Sequence, residues 1–118
     1  MNKIQNFKEL NIWQKGISLV KEIYKITEGF PSKEIYSLSN QMRRAAISVP
    51  SNIAEGFRRY HSKEFKQFLN IALGSLAELE TQVIIASELN YIAPNIREEM
   101  SKNIDQLNRM VYSLHKKL

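Results

Sequence analysis

The sequence contains no cysteine, which excludes a disulfide framework, thiolate catalysis and any thiolate-held metal. That absence suits a reducing compartment. Only two histidines occur, His61 and His115, and neither has a partner at metal-ligand spacing. No Glu-x-x-His motif accompanies Glu78 and Glu80, so the carboxylate-bridged metal centre of some helical bundles is not expected. A Gly-rich phosphate-cradling loop, a nucleophile elbow and a Ser-His-Asp order are all missing. The sequence therefore predicts no catalytic residues, no cofactor and no small-molecule substrate. Continuous apolar runs are short as well. The N-terminal MNKIQNFKELNIW lacks a signal-peptide core, and no run reaches the ~18 residues of a membrane span, so a cytoplasmic location away from the membrane is expected.

What is present is ordinary globular composition: 43% apolar and 25% charged residues in 118. This is one domain's length and enough for a real core. Seventeen Lys and Arg against twelve Asp and Glu give a net charge of +5 and a pI near 9.5, a balance compatible with a polyanionic partner.

Four segments carry helical periodicity, predicting an all-α, antiparallel up-down four-helix bundle in a single domain over residues 1–118. The first runs from Asn11, as N-cap, to Thr27, with Trp13, Ile17, Val20 and Tyr24 as its stripe and Gly29-Phe30-Pro31 as its stop. Trp13 reads as core. The second starts after Ser32 and reaches about Arg59, with Leu38, Met42, Ala45, Val49 and Ile53 inward. Pro50 sits inside it and predicts a kink over Ala46 to Pro50, or else a break into two helices. Asn52 and Glu55 are placed to satisfy backbone groups freed there. Gly56 weakens the end.

The third helix starts at a Ser62 cap, with Glu64 favoured in its first turn. Its seam of Phe65, Leu69, Ala72, Leu76, Leu79, Val83 and Ala86 steps by four and three residues. It ends near Asn90, which tolerates a left-handed cap. The fourth starts at Pro94 and carries Met100, Ile104, Leu107, Val111, Leu114 and Leu118. Short connections make neighbours antiparallel.

Helix three has a second line: Phe68, Ile71, Ser75, Glu78, Gln82, Ile85, Leu89 and Ile92, roughly a quarter-turn from the seam at ~100° per residue. It is either a wide core stripe or a subunit interface through Phe68, Ile71, Ile85 and Leu89. Gly74 interrupts the helix at a propensity cost of about 1 kcal/mol. Close helix approach would compensate, and Gly74→Leu would then be strongly destabilising.

Two segments are more specific. Arg43-Arg44-Ala45-Ala46-Ile47-Ser48-Val49-Pro50-Ser51-Asn52-Ile53-Ala54-Glu55-Gly56 is followed, at the right separation, by Phe68-Leu69-Asn70-Ile71-Ala72-Leu73-Gly74-Ser75-Leu76-Ala77-Glu78-Leu79-Glu80-Thr81-Gln82. Together they resemble the four-helix bundle family first noticed as reading frames in the intervening sequences of bacterial 23S ribosomal RNA genes. The resemblance extends from Phe7 to the C-terminus. It implies a four-helix subunit, a ring-like homopentamer and no established enzyme activity. The accessory proteins of diversity-generating retroelements, which work with a reverse transcriptase and its RNA, look similar in architecture. Asn90 departs from the family's more usual glycine before Tyr91-Ile92.

One basic cluster stands out: Arg58-Arg59-Tyr60-His61-Ser62-Lys63-Glu64-Phe65-Lys66, at the turn between helices two and three. Arg58, Arg59, Lys63 and Lys66 can neutralise phosphates of RNA or DNA, and Tyr60 can stack on a base. The competing reading is a solvated turn. Arg43 and Arg44 are secondary candidates for the same role. Arg44, Glu55 and Arg58 share one helical phase, so an ion-pair set is the alternative for these positions.

Overall fold

In the computed structural model, which describes residues 3–118, four α-helices form an up-down bundle: α1 (Asn11–Thr27), α2 (Leu38–Phe57), α3 (Ser62–Glu88) and α4 (Pro94–Lys117). No strand occurs among the described residues. Consecutive helices pack on each other and α4 closes the ring against α1. The bundle measures 48 × 25 × 19 Å, its long axis spanned by α3, whose twenty-seven residues extend about 40 Å at ~1.5 Å each.

Of the expected α3 seam, Leu69, Ala72, Leu76, Leu79, Val83 and Ala86 are all inaccessible to water, while Phe65 at its start is half-buried. Met100, Ile104, Leu107 and Val111 of α4 face it. The α3 terminus is closed by Asn90 in the left-handed region at φ 62°. Tyr91 N–H donates to the Ala86 carbonyl and Asn90 N–H to that of Ser87, the paired bonds of a Schellman end. A glycine is easier in that conformation, but asparagine is the side-chained residue that best tolerates it. Pro94 opens α4, where its missing N–H costs no helical bond.

Three helix starts differ from expectation. Leu10, not Asn11, occupies the cap of α1 after a 3₁₀ turn at Phe7–Glu9. Ser32 begins a second 3₁₀ turn, Ser32–Glu34, and α2 waits for Ser37, whose hydroxyl accepts from Leu38 N–H. At α3 the cap position belongs to His61, with no side-chain bond, and Ser62 is the first helical residue.

The α1 stripe is also displaced. Ile12, Gly16, Leu19, Ile23 and Thr27 point inward, whereas Trp13 and Val20 are half-buried and Ile17 and Tyr24 exposed. Both lines have helical spacing, and Gly16 hides the true one because it carries no apolar side chain. A Cβ at Gly16 would lie 3.2 Å from Pro50 Cβ, so the glycine makes room for the proline ring. Pro50 is buried within an α2 that continues to Phe57, which discards the two-helix alternative. Its lack of N–H leaves the Ala46 carbonyl without a helical donor. Nearby, Asn52 Nδ2 donates to the Ser48 carbonyl at 2.8 Å and to Ser48 Oγ at 2.9 Å, and Ser75 Oγ of α3 donates to Ser48 Oγ at 2.8 Å. Glu55 plays no part there; it pairs with Arg59.

Gly74 is exposed and a Cβ on it would meet nothing within 4 Å. The close approach expected at Gly74 is found at Gly56 instead, where a Cβ would sit 2.6 Å from Phe68 Cβ.

One helix, α3, has an 18-residue window of mean hydropathy 1.3, long and apolar enough by composition to cross a membrane, although continuous apolar runs are short. Only 33% of that window is buried, because apolar residues occupy both the seam and the second line.

The loop after α1 is held to the α3–α4 turn by Tyr91, which donates its hydroxyl to Glu34 Oε2 at 2.7 Å and packs its ring 5.3 Å from Phe30. Ser37 Oγ donates to the other carboxylate oxygen at 2.6 Å. The Ser37 and Tyr91 hydrogen bonds lower the Glu34 pKa, and the bond to Glu34 raises that of Tyr91. A lowered carboxylate pKa stabilises the fold above the unfolded-state value and loses that contribution as pH falls through the folded one. A raised phenol pKa contributes below its unfolded value and is lost as pH rises through the folded one. Tyr91→Phe should therefore lower the urea midpoint at pH 7, and the difference from wild type should close as the pH falls and Glu34 is protonated.

Candidate nucleic-acid interface

The α2–α3 corner is built by a short reversal. Arg58 caps α2 with its N–H on the Ala54 and Gly56 carbonyls. Arg59 and Tyr60 continue the turn through Gly56 and Phe57 carbonyls. Tyr60 takes φ 59° and His61 returns to extended backbone before α3. Beneath the turn, Phe57 lies 6.0 Å from Phe65 and 6.3 Å from Tyr60, both edge-on.

This geometry projects Arg58, Arg59 and Lys63 to solvent, while Lys66 is half-buried. Arg58 lies over the Phe7 ring at 5.4 Å and Arg59 over Phe68 at 5.1 Å. Arg59 also meets Glu55 at 3.2 Å, with both side chains about half exposed; such a surface pair contributes at most about 1 kcal/mol and can yield to a phosphate. The Phe7 stack brings the N-terminal turn onto the corner, together with Trp13, whose ring is 5.4 Å from Phe7. Sequence spacing gave no signal for these contacts between elements.

Two shallow grooves flank the corner. One, of about 690 Å³, runs between Phe7, Ala54, Glu55 and the two arginines. The other, of about 620 Å³, lies between the N-terminal segment and the α2–α3 turn.

The structure separates the secondary candidates from this site. Arg43 and Arg44 stand fourteen or more positions before Arg58, roughly 20 Å along a helix. Arg43 is half-buried, donates Nε to Thr27 Oγ1 at 2.9 Å and covers the Tyr24 ring at 4.7 Å. It fastens α2 to the end of α1. Arg44 is exposed. No ion pair links Arg44, Glu55 and Arg58 among the described residues; the pairs found are Arg59–Glu55 and Arg109–Asp105.

The second line of α3 divides. Ile71, Ile85 and Leu89 are 50%, 42% and 49% exposed, so within the chain they are not a widened core. Phe68 is half-buried against Gly56 and Arg59, which accounts for it inside the chain. Gln82, polar in the sequence, is buried with its Oε1 unpaired. Glu78 and Glu80 are exposed, and no cluster of three His, Asp or Glu side chains forms among the described residues.

No curated protein matches the sequence. One solved structure of similar fold is a protein with unknown function from the S23 ribosomal protein family of Bacteroides thetaiotaomicron VPI-5482. It superposes with a TM-score of 0.82 at 22% identity, over 89% of this chain and 95% of that one. At that identity the likeness concerns the bundle alone. The profile of the 23S rRNA-intervening sequence proteins, by contrast, matches residues 8–113, taking in the Pro50 segment, the cationic corner and the whole of α3. The chain belongs to the 23S rRNA-intervening sequence protein family.

Proposed function

We propose that the protein is a non-enzymatic, cytoplasmic accessory protein that binds nucleic acid, RNA in particular, as a homo-oligomer. The observation that carries the reading is the α2–α3 corner: Arg58, Arg59 and Lys63 are solvent-exposed on a chain of net charge +5, and the one carboxylate paired there is itself about half exposed. Phosphate contacts release condensed counterions, so the logarithm of affinity falls linearly with the logarithm of salt concentration. The resemblance to retroelement accessory proteins favours RNA. Titration of an RNA oligomer against the wild-type protein at rising salt tests the reading. Binding that weakens steeply supports it; no binding at low salt removes it.

The exposed apolar line Ile71, Ile85 and Leu89 favours self-association, with a homopentamer as the expected state, and also supports a second reading in which the protein is an interaction scaffold. Ile85→Glu should lower the mass measured by light scattering, because burying an unpaired carboxylate is costly. A wild-type monomer at micromolar concentration would remove the oligomer from both readings.

A further inference from the structure

Tyr60 is expensive where it stands. Its φ of 59° is a backbone conformation that glycine or asparagine occupies easily and a bulky side chain rarely does. The ring does little for the fold in return. It is 73% exposed, touches Phe57 only edge-on at 6.3 Å, and its hydroxyl enters none of the described hydrogen bonds. The turn holds an aromatic face out into water at the centre of the most basic corner of the molecule.

Beside that ring runs the groove of about 620 Å³, floored by Phe57 and Phe65 and walled by Ile4, His61 and Lys3, with no carboxylate in its lining. Lys3 lines it, and the exposed Arg58 and Lys63 follow its lining residues Phe57 and Ser62 in the chain. Apolar floor, free aromatic face and cationic rim together suit a planar heterocycle attached to a phosphate chain.

We infer that this corner seats an unpaired base on Tyr60, so that the protein prefers single-stranded nucleic acid to duplex. The inference deepens the nucleic-acid reading above and rests on it. A duplex hides its base faces within its own stack and offers the corner only phosphates. A single strand offers phosphates to Arg58 and Lys63 and a base face to the ring. Stacking of one base on an aromatic side chain is worth roughly a 5- to 150-fold gain in affinity.

The test is anisotropy of a fluorescein-labelled, unstructured RNA of about 20 nucleotides, alone and as a duplex, at low salt. Wild type should bind the single strand about tenfold or more tightly than the duplex. Tyr60→Phe should keep that preference. Tyr60→Gly and Tyr60→Asn should bring single-strand affinity down to the duplex level and leave duplex affinity unchanged. Their melting temperatures should be equal to or above that of wild type, because both residues accept the left-handed backbone. Equal wild-type affinity for the two forms, or a preference that survives in both variants, overturns the base seat while the nucleic-acid reading stands. Absence of binding to either form overturns both.

Discussion

Gly56→Ala should destabilise the bundle by about 2 kcal/mol, although it replaces a poor helix former with the best one. The propensity gain is at most about 1 kcal/mol. Against it, the new methyl would sit 2.6 Å from Phe68 Cβ and 3.0 Å from Phe65 Cδ1. Phe68 Cβ is fixed to the α3 backbone and cannot rotate away, so the helices must separate locally, and the Phe65 ring must shift as well. Overpacking of this kind costs typically ~1–3 kcal/mol, and separating the rings also loosens the Phe57–Phe65 contact under the cationic turn. A fall of roughly 5–10 °C in melting temperature is the expected reading for a domain of this size. Gly74→Ala is the control. With open space around its Cβ, it should gain up to ~1 kcal/mol. Gly74→Leu should likewise be tolerated within a subunit. If Gly74→Leu instead lowers oligomer mass, the close approach at that glycine lies between subunits.

The second large effect concerns binding. Replacing Arg58, Arg59, Lys63 and Lys66 together with Gln should abolish most RNA binding at moderate salt and leave helix content and oligomer mass intact. Each lost phosphate contact removes roughly 0.7–0.9 from the slope of log affinity against log salt, so the four together remove at most about 3.6. The structure ranks them. Lys63 and Arg58 are exposed with no carboxylate bonded among the described residues, Arg59 must first leave Glu55, and Lys66 is half-buried. Single variants should follow that order. Arg44→Gln, roughly 20 Å away along α2, should leave the slope unchanged. Arg43→Gln should register in stability instead, because it strips Thr27 and Tyr24 of their partner. A quadruple variant that binds as well as wild type would move the activity elsewhere on the surface.

The sequence made the helices legible wherever large aliphatic residues mark the inner face without interruption. The α3 and α4 seams step by four and three with no glycine at a seam position, and Asn90 and Pro94 punctuate the turn between them. In α1 the inner face includes Gly16, and the eye follows the bulkier Trp13 line, one residue round the helix. Glycine is ambiguous in sequence for the same reason. Gly56 looks like a helix end and is a packing site, whereas Gly74 looks like a packing site and is open. Only the neighbouring helix decides between these. The charges of the α2–α3 turn were legible as charges. Their engagement was not, because the Phe7 and Phe68 rings for Arg58 and Arg59 come from elsewhere in the chain, as Thr27 does for Arg43 far from the turn.

The Gly16–Pro50 contact also fixes how far α1 can slide along α2. An up-down bundle of aliphatic stripes has near-degenerate arrangements one turn apart, about 5.4 Å, in which the same kinds of side chain meet again. Here a slip of that size would bring Ile12, Leu19 or Val20 against the Pro50 ring in place of Gly16. Each would force a branched side chain into space that already leaves no room for a methyl without some shift. A missing side chain on one helix and a rigid ring on the other thus act as a detent, selecting one axial offset from several of similar apolar content.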